Sequence, residues 1–598
     1  MATNTAAERL GKLRGLMARY GYDAYIVADA DPHSSEYMAD HWKARSWLTG
    51  FNGSNGTVAV TRDEAALWTD GRYYIQAESQ LAGSGIALMR AGEPGTPTYA
   101  AWLAEKMPAK STVGVNGRVF SCAAYDELRG ALDKRGAAVA IDRDLIGEIW
   151  TDGRPGPPAE PIFSHDLRYA GKPASEKVDD IRAELRRRGA TYALICGLED
   201  VAWLFNFRGG DMPYLPVAYG FALISPDGAE LYINPEKVPA EVAAGLAGQG
   251  VAVAGAEKLA ARLESLGAGD KISCDPHKLN KWLRSRIPQC AGVIYADEPT
   301  LLPKAIKNAA ELRGHREAQL QDGAAMARFM MWVEREARSG RELNEWDAVL
   351  EMSRLRLLGK DCLGDSFRTI AGYGPNGAMM HYAPAESACA AVRNAGLMVV
   401  DSGGQYPGGT TDVTRTVAFD CVSDEERRDF TLTLKSHIAL ASARFLYGAA
   451  GCHVDSIARK VMWDHGLDYK CGTGHGVGCC LSVHEGPHSI SMKAGNAVRL
   501  EENMIVSIEP GVYREGKHGV RTENLAAIIE DFTNEFGRFM RFEILSFCPI
   551  DLRGVMPEML DAAEREWLNG YHRAVYEKIS PLLDTEEREW LAGATRAI

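Results

Sequence analysis

At 598 residues the chain is long enough for about four domains of roughly 150 residues each. Hydrophobic residues at 46% and charged residues at 25% describe a globular chain and exclude a disordered or fibrous one. A formal charge of −13, from 67 basic and 80 acidic residues, argues against a nucleic-acid or anionic-membrane partner, and no apolar run approaches the ~20 residues of a membrane span.

The first predicted element is an amphipathic helix over 6–20, where charged and apolar residues recur at helical spacing. A secretory signal needs an uninterrupted apolar core, which this segment lacks, so a cytoplasmic location is expected. Twelve cysteines, dispersed from Cys122 to Cys548 without a CxxC pair, fit reduced thiols rather than a disulfide framework or a structural zinc module.

An apolar strand is predicted over 24–28 after the first helix, and another over 192–196 after a helix over 176–188. This alternation predicts α/β domains. Each strand is followed by an acidic stretch and then an aromatic-rich segment, 45–51 in one case and 201–208 in the other, which suggests two copies of one unit. A Pro/Gly-rich seam over 152–161 and a weaker one over 297–303 separate these regions from the rest. Beyond 304, helices are predicted around 308–340 and 424–446 among short strands and many glycines, and the tail over 564–576 reads as an amphipathic helix.

The most informative stretch runs from Leu397 to Thr416. Four apolar residues end at Asp401, a Gly/Pro-rich turn follows, and Thr410, Asp412, Thr414 and Thr416 then alternate with other residues as in a strand. A hairpin centred near Tyr406 and Pro407 would set Asp401 opposite Asp412 on one face. Like charges so placed are destabilising unless a cation lies between them.

Three further segments join this pair. His475 sits in the glycine-rich run 472–478, Glu509 ends an apolar strand at a turn, and Arg521 and Glu523 are expected on one strand face. Four carboxylates and one imidazole balance two divalent cations in charge, and oxygen-dominated ligation suits Mn²⁺, Co²⁺ and similar ions. Two metals held close together are an arrangement that activates water for hydrolysis. The His484-Glu485-Gly-Pro-His488 run matches H-E-x-x-H only in letters, because Gly486-Pro487 breaks the helix that motif requires.

The series Asp401, Asp412, His475, Glu509, Glu523 resembles the metal ligands of the pita-bread metallopeptidases, which include methionine aminopeptidase, prolidase and aminopeptidase P. The segments around Met380-His381, Asp401–Tyr406, Gly409–Thr416, Gly472–Gly478, Val483–Pro487 and Glu509–Gly511 resemble the aminopeptidase P (Xaa-Pro aminopeptidase) branch in its long, three-domain cytosolic form. The resemblance extends to 46–56, 68–74 and 201–209 in the N-terminal half and to 567–572 near the end. It implies an α/β (α+β) chain. Two creatinase-like N-terminal domains over 1–158 and 159–303 would precede a pita-bread catalytic domain over 304–540 and a C-terminal extension over 541–598.

The resemblance also assigns roles. Asp401 and Asp412 would bind one metal and His475 and Glu509 the other, with Asp412 and Glu523 bridging. Two divalent ions are implied, with Mn²⁺ as first choice and Zn²⁺ or Co²⁺ as alternatives. A hydroxide between them would attack the carbonyl of the first residue of a peptide with proline second. Glu509 would serve as general base, His381 and His484 as substrate-binding and catalytic histidines, and Tyr513 and Arg521 as supporting residues. A homodimer without nucleic-acid or membrane partners is implied. One departure stands out: relatives carry a histidine four positions before the metal histidine, whereas this chain has Cys471, which is expected to weaken substrate binding or shift preference. A prolidase restricted to dipeptides, a binding protein on an inactive copy of the fold, and a metal-free creatinase-like hydrolase are the competing readings.

Overall fold

The computed structural model describes residues 5–493, 495 and 497–598. They form two compact units. The first comprises Lys172–Pro213, Val217–Thr300 and the described part of Met1–His165; the second comprises Asp166–Gly171, Tyr214–Pro216 and the described part of Leu301–Ile598.

The first unit opens with helix Ala6–Tyr20. Thr5 and Glu8 close a reciprocal capping box at its start, and Gly21 ends it at φ 73° in the left-handed region that glycine tolerates without strain. Its buried Leu10, Leu13 and Met17 face a sheet whose strands carry Tyr25, Val27, Val58, Val60 and Leu67 toward the same cluster. The intervening residues Ala24, Ile26, Ala59, Ala66 and Trp68 point into a second cluster on the opposite face. Strand Ala24–Ala28 is an unbroken apolar run because both of its faces are covered.

That sheet has six strands which, numbered along the chain, lie in the order 4-3-2-1-5-6. The sheet built from Tyr192–Ile195, Gly220–Ile224, Ala229–Ile233, Val251–Ala254, Lys271–Cys274 and Gly292–Tyr295 has the same order. Strand directions also match: the first strand pairs antiparallel with the second and parallel with the fifth in each copy. A helix, Ala44–Thr49 or Leu198–Phe205, follows the first strand at the aromatic-rich segment of each copy. The two suspected copies thus share one topology.

In the second unit, helix Ala309–Ser339 starts at a capping box of Asn308 and Glu311 and ends at Gly340. A three-stranded sheet joins Ile370–Tyr373, Leu397–Ser402 and Val413–Ala418. A six-stranded sheet contains, side by side, Arg444–Leu446, Gly537–Ile544, Asn524–Asn534, Ile505–Ile508, Gly474–Gly476 and Glu485–Ile490. Helices Asp424–Ala441 and Ala562–Ile579 share a core with Leu397, Ala418 and Val520, which fixes the back of the first sheet.

Two expectations need correction. The hairpin exists, but its register pairs Asp401 with Thr414 and Tyr406 with Gly409, so the tip is Pro407-Gly408. A two-residue shift preserves the face, because side chains alternate with period two, so Asp401 and Asp412 remain on one side as diagonal rather than direct neighbours. Arg521 and Glu523 do not share a strand: Arg521 ends His518–Arg521, Asn524 begins Asn524–Asn534, and Glu523 lies in the crossing between them. The crossing exists because the chain leaves a local hairpin with Gly511–Arg514 and enters the large sheet.

Candidate metal centre

The candidate centre is assembled where the crossing at 521–524 runs along the second arm of the hairpin that carries Asp401 and Asp412. Glu523 N donates to Thr414 O at 3.2 Å, and Arg521 N donates to Thr416 Oγ1 at 3.1 Å. His475 comes from the short strand Gly474–Gly476, whose glycines are required by closeness: a Cβ at Gly474 would stand 1.9 Å from the Ser507 carbonyl oxygen. Pairing with Glu485–Ile490 shifts register between His475 and Gly476, a bulge of the kind that re-aims a side chain.

Asp412, His475 and Glu523 offer ligand atoms that all lie within 4.8 Å of one another. His475 Nε2 is 3.4 Å from Asp412 Oδ2 and 3.3 Å from Glu509 Oε1. Arg521 Nη2 donates to Asp401 Oδ2 at 2.6 Å. The five residues singled out from the sequence therefore converge at one place.

Their electrostatics fit a cation site. Asp401 Oδ1, Asp412 Oδ1 and Glu523 Oε1 are buried and lack a hydrogen-bond partner, which buried oxygens rarely tolerate. Burial, then Asp401 and Glu509, pushes the Asp412 carboxyl well above its ordinary range. Burial, then Asp412, Glu509 and Asp401, does the same to Glu523. The Arg521 guanidinium offsets part of this charge. Cations would supply both the missing partners and the missing positive charge.

Of the other singled-out residues, His484, Tyr513 and Cys471 lie beside this set. His484 stacks edge-on to His475 with ring centroids 4.4 Å apart. Tyr513 OH accepts from Arg521 Nη1 at 2.8 Å. Cys471 and Tyr513 both pack against the small apolar cluster of Leu432, Met462, Tyr469 and Val512. Burial, then Glu509, pushes the Cys471 thiol up to about 12, so it stays neutral. His381 lies in the loop after the short helix Gly374–Ala378, which is docked so tightly on strand His518–Arg521 that a Cβ at Gly519 would stand 1.8 Å from Gly377 O.

Glu485 and His488 of the false H-E-x-x-H run do other work. Glu485 forms a buried ion triad with Lys304 at 3.2 Å and with Lys307, while His488 Nε2 bonds Ile505 O at 2.9 Å.

Several supporting residues escaped the sequence reading. Thr414 Oγ1 donates to Glu523 Oε2 at 2.7 Å and accepts from Arg521 Nε at 3.0 Å. Ser507 Oγ receives His475 N at 3.0 Å and donates to Glu509 Oε1 at 3.1 Å. Both sit two residues from a ligand on the same strand face, a signal that the alternation alone could have supplied. Arg415 points the other way and had no such signal. It donates to Glu523 O at 2.6 Å and to Tyr571 OH at 2.7 Å, tying the crossing to helix Ala562–Ile579.

Comparison with known proteins agrees with this geometry. Residues 313–530 match metallopeptidase family M24, and 538–598 match the C-terminal region of that peptidase. Residues 9–145 and 153–311 each match a creatinase/prolidase N-terminal domain. Aminopeptidase P2 of Arabidopsis thaliana is 39% identical, with 96% of this chain and 86% of the relative covered. The chain belongs to metallopeptidase family M24.

Other M24 relatives extend the likeness. A probable Xaa-Pro aminopeptidase P of Talaromyces marneffei is 38% identical over 97% of this chain and 90% of its own. The crystal structure of an X-prolyl aminopeptidase from Caenorhabditis elegans, described as a cytosolic enzyme with a di-nuclear active site, superimposes with a TM-score of 0.95 at 34% identity, covering 99% of this chain and all of that one. An Xaa-Pro dipeptidase from Bacillus anthracis shares the fold over 63% of this chain and 99% of its own, with a TM-score of 0.52 and 20% identity. The mixed α/β architecture, with duplicated creatinase-type units ahead of an M24 catalytic region, is that of the family.

Proposed function

We propose that this M24 protein is a metal-dependent Xaa-Pro aminopeptidase, removing the first residue from peptides whose second residue is proline. The observation that carries the reading is likeness along the whole chain to enzymes bearing that name, N-terminal units and C-terminal helices included.

Asp401, Asp412, His475, Glu509 and Glu523 would hold two divalent ions, Mn²⁺ by preference and Zn²⁺ or Co²⁺ as alternatives. Bound there, the ions would supply Lewis acidity and acidify water at neutral pH. Glu509, held by Ser507 and close to His475, would accept the proton from the attacking water. N–H groups of His381 and His484 would donate to the charge developing on the carbonyl oxygen. Arg521 holds Asp401 and Tyr513 in place, and Tyr513 and Cys471 would line the substrate.

Twelve free cysteines and the cytosolic description of the nematode structure support a cytoplasmic location, and the family resemblance supports a homodimer. The test is to strip metal and assay an Arg-Pro-Pro tripeptide beside an Xaa-Pro dipeptide, with and without Mn²⁺. Release of the first residue from the tripeptide only when metal returns is expected. Cleavage of the dipeptide alone would make the protein a prolidase, and no cleavage despite bound metal would overturn the reading.

A further inference from the structure

Arg459, on helix Gly451–Trp463, is only 2% exposed, and its hydrogen-bond acceptors other than Asp455 of its own helix lie in the segment 468–471 that follows. Its Nε donates to Asp455 Oδ2 at 2.7 Å; Nη1 donates to Asp468 Oδ1 and to Tyr469 O, each at 2.8 Å; Nη2 donates to Cys471 O at 2.7 Å. Its guanidinium also stands 4.0 Å from the centroid of the Tyr469 ring. One turn earlier on the helix, Asp455 accepts from Thr473 Oγ1 at 2.5 Å, and that hydroxyl is shared with Tyr469 OH at 2.6 Å. Residues 468, 469, 471 and 473 are thus gripped from a single helix face.

A buried ion pair is an expensive way to hold a loop, because both charges lose their water and an apolar pair of similar volume packs at lower cost. What the guanidinium supplies is geometry, since its planar fork fixes several acceptors at once. The metal ligands next to the loop have anchors of their own. His475 is held by Ser507 and by strand pairing, and the Glu509 carboxylate accepts from Ser507 Oγ at 3.1 Å. Cys471 has no comparable anchor among the described contacts except the one from Arg459 to its carbonyl.

We propose that Arg459, working with Asp455, is a positioning residue for substrate: it places Cys471 beside Tyr513 and sets affinity for the peptide without retaining metal. The inference rests on the reading of Cys471 as a substrate-facing residue.

The experiment compares full-length wild type with Arg459→Gln and Arg459→Lys. Metal content is measured by mass spectrometry, kcat and KM on the tripeptide, and iodoacetamide alkylation of Cys471 by peptide mass, with the half-buried Cys452 as internal reference. Loss of several charge-assisted bonds in Arg459→Gln should raise KM about tenfold with kcat within about twofold, and should speed Cys471 alkylation by a similar factor, at unchanged metal content. Arg459→Lys, which keeps the charge but not the fork, should fall between. Loss of metal, a fall in kcat at constant KM, or an unchanged alkylation rate would overturn the proposal. Were wild type inactive on the peptide, the proposed function would fail, while alkylation would still decide on the clamp.

Discussion

Arg521 Nη2 lies 2.6 Å from Asp401 Oδ2, and both side chains are almost fully buried. A guanidinium at that depth is tolerated because burial, which works against its charge, is outweighed by Tyr513, Asp401 and Glu509, which hold its proton on. It supplies part of the positive charge that four carboxylates need before any metal arrives.

Arg521→Gln should therefore hurt the metal-stripped protein most. Removing one member of a buried charge cluster costs about 3–5 kcal/mol. The Tm of the stripped variant should drop by several degrees and recover in part on metal loading, because a ligand bound only to the folded state stabilises it. Calorimetry with and without Mn²⁺ checks this. An unaltered Tm in the stripped form would mean that Arg521 does not compensate the cluster.

Glu485 supports the same region from behind His484. Burial alone would raise its carboxyl, but Lys304 and Lys307 outweigh burial and hold it below the usual range. Glu485→Gln leaves two buried ammonium groups facing a neutral amide, at an expected cost of about 3–5 kcal/mol. Replacing both lysines by Met together with Glu485→Gln should cost less than the single change. Denaturant midpoints of the two variants provide the comparison.

Acid should unfold the catalytic unit through its buried histidines. Burial, then Arg415, lowers His572 to about 4; burial, then Arg415, lowers His437 to about 3; burial lowers His488 to about 4. An unfolded histidine titrates near 6.5, so between pH 6.5 and 4 the unfolded chain binds more protons and stability falls as pH drops. Each such group contributes a slope of about 1.4 kcal/mol per pH unit in that window. His572 Nε2 accepts from Ile550 N at 3.1 Å, a role that glutamine's oxygen can fill, so His572→Gln should flatten the slope of stability against pH. Denaturant melts from pH 7 to 5 measure it, and an unchanged slope would remove His572 from the account.

Cys471 is a neutral thiol at a position where the family resemblance implies a histidine. Cys471→His should raise kcat/KM on an Xaa-Pro tripeptide, since an imidazole can donate or carry charge close to Glu509 and a thiol does neither well. Steady-state kinetics with matched metal content decide the point, and no change or a loss would show that this site has been rebuilt around the thiol.

Local chemistry made much of this molecule readable in advance. Helix 6–20, the strands at 24–28 and 505–508 and the long helix after Asn308 follow from apolar period and caps, which act over a few residues. The candidate ligand set was legible because acids at the ends of apolar strands, and a histidine among glycines, are costly arrangements that a site explains. Tertiary structure decided the rest. Hairpin register came from pairing across the whole 397–418 segment, with the tip at Pro407-Gly408 rather than one residue earlier. Arg521 meets the site from the end of one strand and Glu523 from the crossing into the next sheet, which no single-strand periodicity can encode. Arg415 and the Lys304–Glu485–Lys307 triad join residues 108 to 181 positions apart, and Arg459 grips a loop from a helix face. Such partners are chosen by burial, since a charge removed from water must find its counter-charge wherever the fold has put it, and that place is a property of the folded chain.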